Sequence, residues 1–268
     1  MIQECKNPIV EDDFHGFLHR NCEGTEQLRM ENTFMYKAGI FDLDGTLADT
    51  VDSMAYSANC ALRRLGLPEQ PAERFKIFAG DGAKELIRRC LRASGDETCS
   101  RFEEMQRLYR MYFSENCMYH VRPYDEILPL LERMKRQGMK LAVLSNKPHA
   151  QAVDVVERLF GKAYFDYVQG QTEEIPRKPN PAGALHIAEY FGVKRSECLY
   201  IGDTDTDMRT GKAAGMFTVG VLWGFRTREE LEENDADWIA GRPLEIEPLV
   251  TEHLSEGGKY DKTDCIGY

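Results

Sequence analysis

Hydrophobic and polar positions change their period along this chain. Residues 1–34 follow neither a helical nor a strand period and mix charges with His, Asn and Gly. Met30 and Met35 both stand just ahead of the first clear strand, so this stretch reads as an overlong gene start or a disordered leader. From Lys37 the pattern sharpens. Lys37–Leu43 reads as a short buried strand. Val51, Met54, Ala58 and Leu62 then recur near helical spacing over residues 50–65, until Gly66 and Pro68 stop the helix. Helices over roughly 83–94 and 98–120 follow, introduced by a glycine loop, Gly80-Asp81-Gly82, and no strand pattern occurs between Thr50 and Val121.

After Pro123 strands and helices alternate. Helix 124–137 precedes strand Lys140–Leu144, helix 149–160 precedes strand Tyr164–Gln169, and helix 181–191 precedes strand Glu197–Ile201. Helix 206–214 and strand Phe217–Trp223 complete the series. Strands alternating with helices of this length predict an α/β fold, a Rossmann-like parallel sheet covered on both faces, with a helical block inserted into it. The predicted organisation is a leader at 1–34, a core built from 35–50 and 122–253, a helical insert at 51–121 and a flexible tail at 254–268.

Composition narrows the function classes. Hydrophobic residues make up 42% of the chain, enough for a packed core, and the net charge of -11 argues against a nucleic-acid partner. An anionic metabolite stays open, because a metal or a few cations reverse the local field. The longest apolar runs, Leu141–Leu144 and Phe217–Trp223, are strand-sized and far below a membrane span. The start, with Glu4, Glu11, Asp12 and Asp13, lacks the basic and apolar regions of a secretory signal. None of the eight cysteines forms a C-x-x-C pair, which removes zinc-ribbon spacing and favours reduced thiols in a cytoplasmic protein.

Open α/β sheets bind ligands outside the carboxyl ends of their strands. Here those ends carry Asp42 and Asp44, Ser145 and Asn146, then Asp203 and Asp207. Asp42 and Asp44, two residues apart, share one face if the strand continues through them, and Gly45 then permits a sharp turn. Two adjacent carboxylates in a crevice need a cation or a shared proton, the bland alternative being a solvated Asp-Gly turn. Gly202–Asp207 adds a second acidic knot, and hard oxygens from two strand ends suit magnesium. An EF-hand reading of Asp203-x-Asp205-x-Asp207 fails, since Met208 and Ala214 stand where that loop needs Gly and Glu. Asp205 reads as a helix cap. Ser145 and Asn146 form either a phosphate-holding turn or another cap. Lys178, between prolines, reads as a rigidly held cation, Arg177 as facing solvent or Glu173 or Glu174, and His149 and His186 as structural.

Four segments together, FDLDGTL at 41–47, LSN at 144–146, RKPNP at 177–181 and GDTDTD at 202–207, resemble the motifs of the haloacid dehalogenase superfamily. The likeness spans roughly 36–250. PRKPNP at 176–181, YIGD at 200–203 and AGMFTVGVLWGFR at 214–226 resemble its phosphoglycolate phosphatase branch, whose mobile cap the helical insert resembles. The resemblance implies Asp42 as nucleophile, Asp44 as general acid and base, and Ser145, Asn146 and Lys178 as phosphate ligands. It implies Mg2+ held by Asp42, the Asp44 main-chain carbonyl and Asp203, with Asp207 in support. The activity so implied is hydrolysis of a small phosphorylated metabolite, 2-phosphoglycolate or similar, through an aspartyl phosphate. A phosphosugar mutase on the same core and a non-catalytic binding protein are the rival readings; whether the chain is a monomer or a dimer stays open. Beyond phosphorus, the Gly80-Asp81-Gly82 loop is expected to approach the substrate, with Arg88 or Arg89 supplying a cation.

Overall fold

The computed structural model describes residues 35–251, so the leader and tail expectations lie outside the described residues. Six strands form one parallel sheet: β1 (Ala38–Phe41), β4 (Lys140–Pro148), β5 (Tyr167–Gln171), β6 (Cys198–Gly202), β7 (Phe217–Val221) and β8 (Trp238–Ala240). Their order across the sheet is β5-β4-β1-β6-β7-β8. β1 is all apolar and wholly buried, and it pairs with β4 on one side and β6 on the other. The chain winds from β1 outward through β4 and β5, then returns to build β6, β7 and β8 on the far side. The crevice produced by this reversal opens at the carboxyl ends of β4, β1 and β6.

Side-chain alternation splits each central strand between two apolar layers. Phe41, Leu141, Val143, Leu199 and Ile201 pack with α5 (Ile127–Arg136) and α6 (His149–Phe160). Ala38, Ile40, Ala142 and Leu144 pack on the other face with α7 (Ala182–Phe191), beside which lies α8 (Asp205–Ala214). Two short helices, α9 (Arg228–Glu233) and α10 (Glu247–Thr251), finish the described chain.

Between β1 and β4 the chain makes a small antiparallel pair, β2 (Ala48–Asp49) with β3 (Arg122–Pro123). From this pair rises a layer of four helices: α1 (Val51–Arg64), α2 (Arg74–Phe78), α3 (Ala83–Ala93) and α4 (Phe102–Asn116). They have an apolar cluster of their own, in which Leu62, Phe75, Ile87, Leu91 and Met105 are fully buried. Tyr109 and Phe113 stack in it at 5.3 Å between ring centroids. The sheet has one strand more than the periodicity predicts, because β8 is only three residues long. Among the described residues no helix is long and apolar enough to cross a membrane. Cys60, Cys90, Cys99, Cys117 and Cys198 are free thiols.

Candidate active site

β1 ends at Phe41, so a loop, and not strand alternation, presents Asp42 and Asp44. Asp42 is buried; its Oδ1 accepts from the Leu43 N–H at 2.7 Å and lies 2.8 Å from Lys178 Nζ. Lys178, buried as well, donates to Asp207 Oδ1 at 2.7 Å. Asp203 accepts from the Thr46 hydroxyl at 2.7 Å and from the Phe225 N–H at 2.9 Å. Gly45 turns the chain between these groups with φ +88°, and a Cβ there would stand 2.2 Å from an Asp203 carboxylate oxygen. Only glycine fits both demands.

Asp42, Asp203 and Asp207 offer carboxylate oxygens that all lie within 4.8 Å of one another. Burial pushes the Asp42 carboxyl up to about 7, against the pull of Lys178 and with a further push from Asp207. Burial, then repulsion from Asp207 and Asp42, holds Asp203 well above the usual carboxylate range. Burial alone would lower Lys178, but Asp207 and Asp42 outweigh it and raise the ammonium well above its ordinary value. Three buried acids converge and only two of them touch the one ammonium, so the cluster is short of positive charge. Converging hard oxygens with that deficit fit a divalent, oxygen-seeking cation.

Asp42 and Asp203 of the expected ligand set lie in this cluster, and Asp207, expected in support, supplies the third carboxylate. The Asp44 carboxylate accepts from Lys147 Nζ at 2.7 Å. Local chain chemistry explains the Asp207 pose. Thr204 caps α8, and its N–H and hydroxyl donate to Asp207 Oδ2 at 3.1 and 2.6 Å, leaving Oδ1 for Lys178. The cap is therefore Thr204 and not Asp205, which pairs with Arg209.

Ser145 and Asn146 lie within β4, which runs on to Pro148 through a register shift after Leu144. Neither caps α6, whose N-cap is Pro148. The buried Ser145 hydroxyl accepts from the Lys147 N–H at 3.2 Å. Asn146 Oδ1 accepts from the Lys178 N–H at 2.9 Å, and Nδ2 donates to the carbonyls of Lys178 and Gly80, both at 3.2 Å. Both amide protons are thus spent on backbone, and the side chain braces Lys178.

The glycine loop is tied to the sheet by side chains from separate core segments. Thr206 Oγ1 donates to Asp81 Oδ1 at 3.0 Å, Arg177 Nη1 to the Asp81 carbonyl at 3.0 Å, and Arg226 Nη2 to the Ala79 carbonyl at 2.9 Å. Arg177 is exposed, as expected, and contacts the loop; among the described residues it makes no pair with Glu173 or Glu174. Burial would raise the Asp81 carboxyl, but the hydrogen bond and charge of Arg89 outweigh it and hold it below the usual range. Arg89 also donates to the carbonyls of Ile77 and Phe78, each at 3.2 Å, and so is not a spare cation. Arg88 pairs with Glu85 at 3.1 Å and lies 4.8 Å over the Phe102 ring. His149 accepts from the Gly170 N–H at 3.2 Å and His186 meets the Tyr167 hydroxyl at 3.1 Å, both outside the acidic cluster.

A cleft of about 1210 Å3 separates the strand ends from the helices; Asp42, Asp44 and Ser145 line one wall, Arg110 and Phe113 the other. Lys147 also lines it, and sequence reasoning missed this residue. Its only local signal is its place two residues beyond Ser145.

A family model described as haloacid dehalogenase-like hydrolase matches residues 39–221. The phosphoglycolate phosphatase of Aquifex aeolicus (strain VF5) is 33% identical over 218 residues, 81% of this chain and 98% of that protein. That of Neisseria meningitidis serogroup A is 33% identical over 215 residues, 78% of this chain and 92% of the relative. The crystal structure of a candidate phosphoglycolate phosphatase from Lactobacillus delbrueckii subsp. bulgaricus matches with TM-score 0.76 at 30% identity, covering 81% of this chain and 100% of that one.

Proposed function

This chain belongs to the haloacid dehalogenase-like hydrolases, and from that premise we propose that it is a cytoplasmic, Mg2+-dependent phosphatase of small phosphorylated metabolites, 2-phosphoglycolate or a close analogue. The observation that carries the reading is the buried cluster of Asp42, Lys178, Asp203 and Asp207 at the strand ends, open to the cleft through Asp42. Asp42, Asp203 and Asp207 would hold the ion, with the Asp44 carbonyl as a further ligand. Bound Mg2+ supplies positive charge against the phosphate dianion.

Lys178 holds a fixed charge 2.8 Å from Asp42 Oδ1, which lowers the repulsion met by a phosphate approaching that carboxylate. Asp42 attacks phosphorus in line and becomes an aspartyl phosphate as the ester oxygen leaves. Asp44 gives that oxygen its proton, then takes one from the water that attacks the aspartyl phosphate and frees phosphate and Asp42. The Ser145 hydroxyl orients a phosphate oxygen. The helical layer above the cleft excludes bulk water during the first transfer. Phosphate release from 2-phosphoglycolate and from an aryl phosphate, with Mg2+ and with a chelator, tests the reading. Metal-independent release, or none from either ester, refutes it.

A further inference from the structure

Of the two arginines expected to read the substrate beyond phosphorus, Arg89 is bound to Asp81, and Arg88 lines the cleft but is paired with Glu85 on its own helix. The cleft nonetheless holds a cation in a more demanding setting. The Lys147 side chain is 3% exposed, its Nζ lies 2.7 Å from Asp44 Oδ1, and it stands 4.8 Å from the centroid of the Phe113 ring. An ammonium carries three donors, and Asp44 is its one hydrogen-bonded partner among the described residues. One turn before Phe113 on α4, Arg110 lines the same cleft and makes no ion pair among the described residues.

We propose that Lys147 and Arg110 form a subsite for a second anionic group of the substrate, a carboxylate close to the phosphoester oxygen. The inference rests on the phosphatase reading, because position decides the ligand. Asp44 is the group that meets the ester oxygen, and Lys147 touches Asp44. What Lys147 can reach lies within a few bonds of that oxygen. A carboxylate on the carbon that bears the phosphoester meets this condition. The face of Phe113 keeps water from the ammonium and strengthens its attraction for an anion. The enzyme would then select short phosphorylated hydroxy acids over neutral phosphate esters of similar size.

The test compares kcat/KM for 2-phosphoglycolate and ethyl phosphate, with Mg2+, in the wild type and in Lys147→Met, Lys147→Arg and Arg110→Ala. Wild type should prefer 2-phosphoglycolate. Lys147→Met should reduce that preference by about 100-fold and Arg110→Ala by about 10-fold, the scale of lost hydrogen bonds to a charged group. Lys147→Arg should restore part of it. Equal losses on both esters in Lys147→Met would mean that Lys147 works only through Asp44, and would overturn the subsite. Arg110 is exposed, so its variant tests the idea even if Lys147→Met does not fold; an unchanged preference there overturns the proposal too. A wild type that hydrolyses both esters equally refutes the subsite and leaves the phosphatase standing. A wild type inert toward every phosphate ester refutes the phosphatase first and the subsite with it.

Discussion

The strand ends and the helical layer hold their polar groups by different means. At the strand ends every carboxylate of the cluster has at least two partners, and those partners are buried. Beneath them β1 is bonded to a strand on each side. Removing Lys178, the cation among them, strands buried carboxylates, which costs about 3–5 kcal/mol. The helical layer instead reaches the core around residues 79–81 through single hydrogen bonds, several of them to carbonyls. Each such bond is worth about 0.5–1.5 kcal/mol. The acidic cluster is thus anchored where the fold yields least, and the helical layer is held by bonds that are individually weak.

Experiments can break or sharpen this contrast. The largest effect is expected at the anchor. Asp42→Asn should lower kcat by about 10^4-fold or more, because an amide does not attack phosphorus, while the melting temperature holds or rises. Phosphate-release assays and a thermal melt check both halves, and residual activity of a few per cent would end the covalent scheme.

Next comes Gly45→Ala, whose Cβ would meet Asp203 in a left-handed turn. Displacing that carboxylate should reduce kcat/KM by about 100-fold and weaken Mg2+ dependence. An unimpaired variant would show that the strand ends yield more than their burial implies.

Smaller effects belong to the loop. Thr206→Val and Arg226→Ala should each change kcat/KM by about tenfold or less, with faster hydrogen exchange across residues 76–82. Exchange that stays slow in both variants would mean that other contacts hold the helices down.

The mildest prediction concerns pH. The Asp42 carboxyl binds its proton up to about 7 in the fold, against 3.8 for an ordinary aspartate, and Asp203 shifts the same way. The folded state therefore holds more protons than the unfolded chain in this window. The metal-free protein should lose stability as pH rises from about 4 toward 7. Mg2+ requires the deprotonated forms, so it should raise the melting temperature by a few degrees more at about pH 8 than at about pH 5. Calorimetry at both values would detect it, and a metal effect larger at the acidic pH would contradict the assignment.

What could be read from the chain follows from how local each signal is. β1, β4, β6 and β7 announce themselves because buried parallel strands are apolar runs. β8 and the β2–β3 pair do not, since two or three residues carry no period. The acidic residues were visible through their place beside strand ends. Asp207 joining the cluster depends on a helix cap, and the Asp44–Lys147 pair joins residues far apart in sequence. Lys147 looked like any surface lysine. The ring over its ammonium, Phe113, is delivered by a helix whose approach to the sheet no local pattern encodes.

The β2–β3 pair has a consequence for how such a chain assembles. Ala48 faces Pro123 and Asp49 faces Arg122, so the points where residues 50–121 leave and rejoin the sheet are cross-strand neighbours. Once that clamp forms, the entropy of closing so long an excursion is already spent. By the logarithmic law of loop closure, lengthening or exchanging the segment then adds little, about 0.6 kcal/mol for each doubling. The excursion has its own apolar cluster, so it can gain or lose helices without disturbing the strand register beneath. The clamp makes the helical layer a replaceable module on a sheet that need not change.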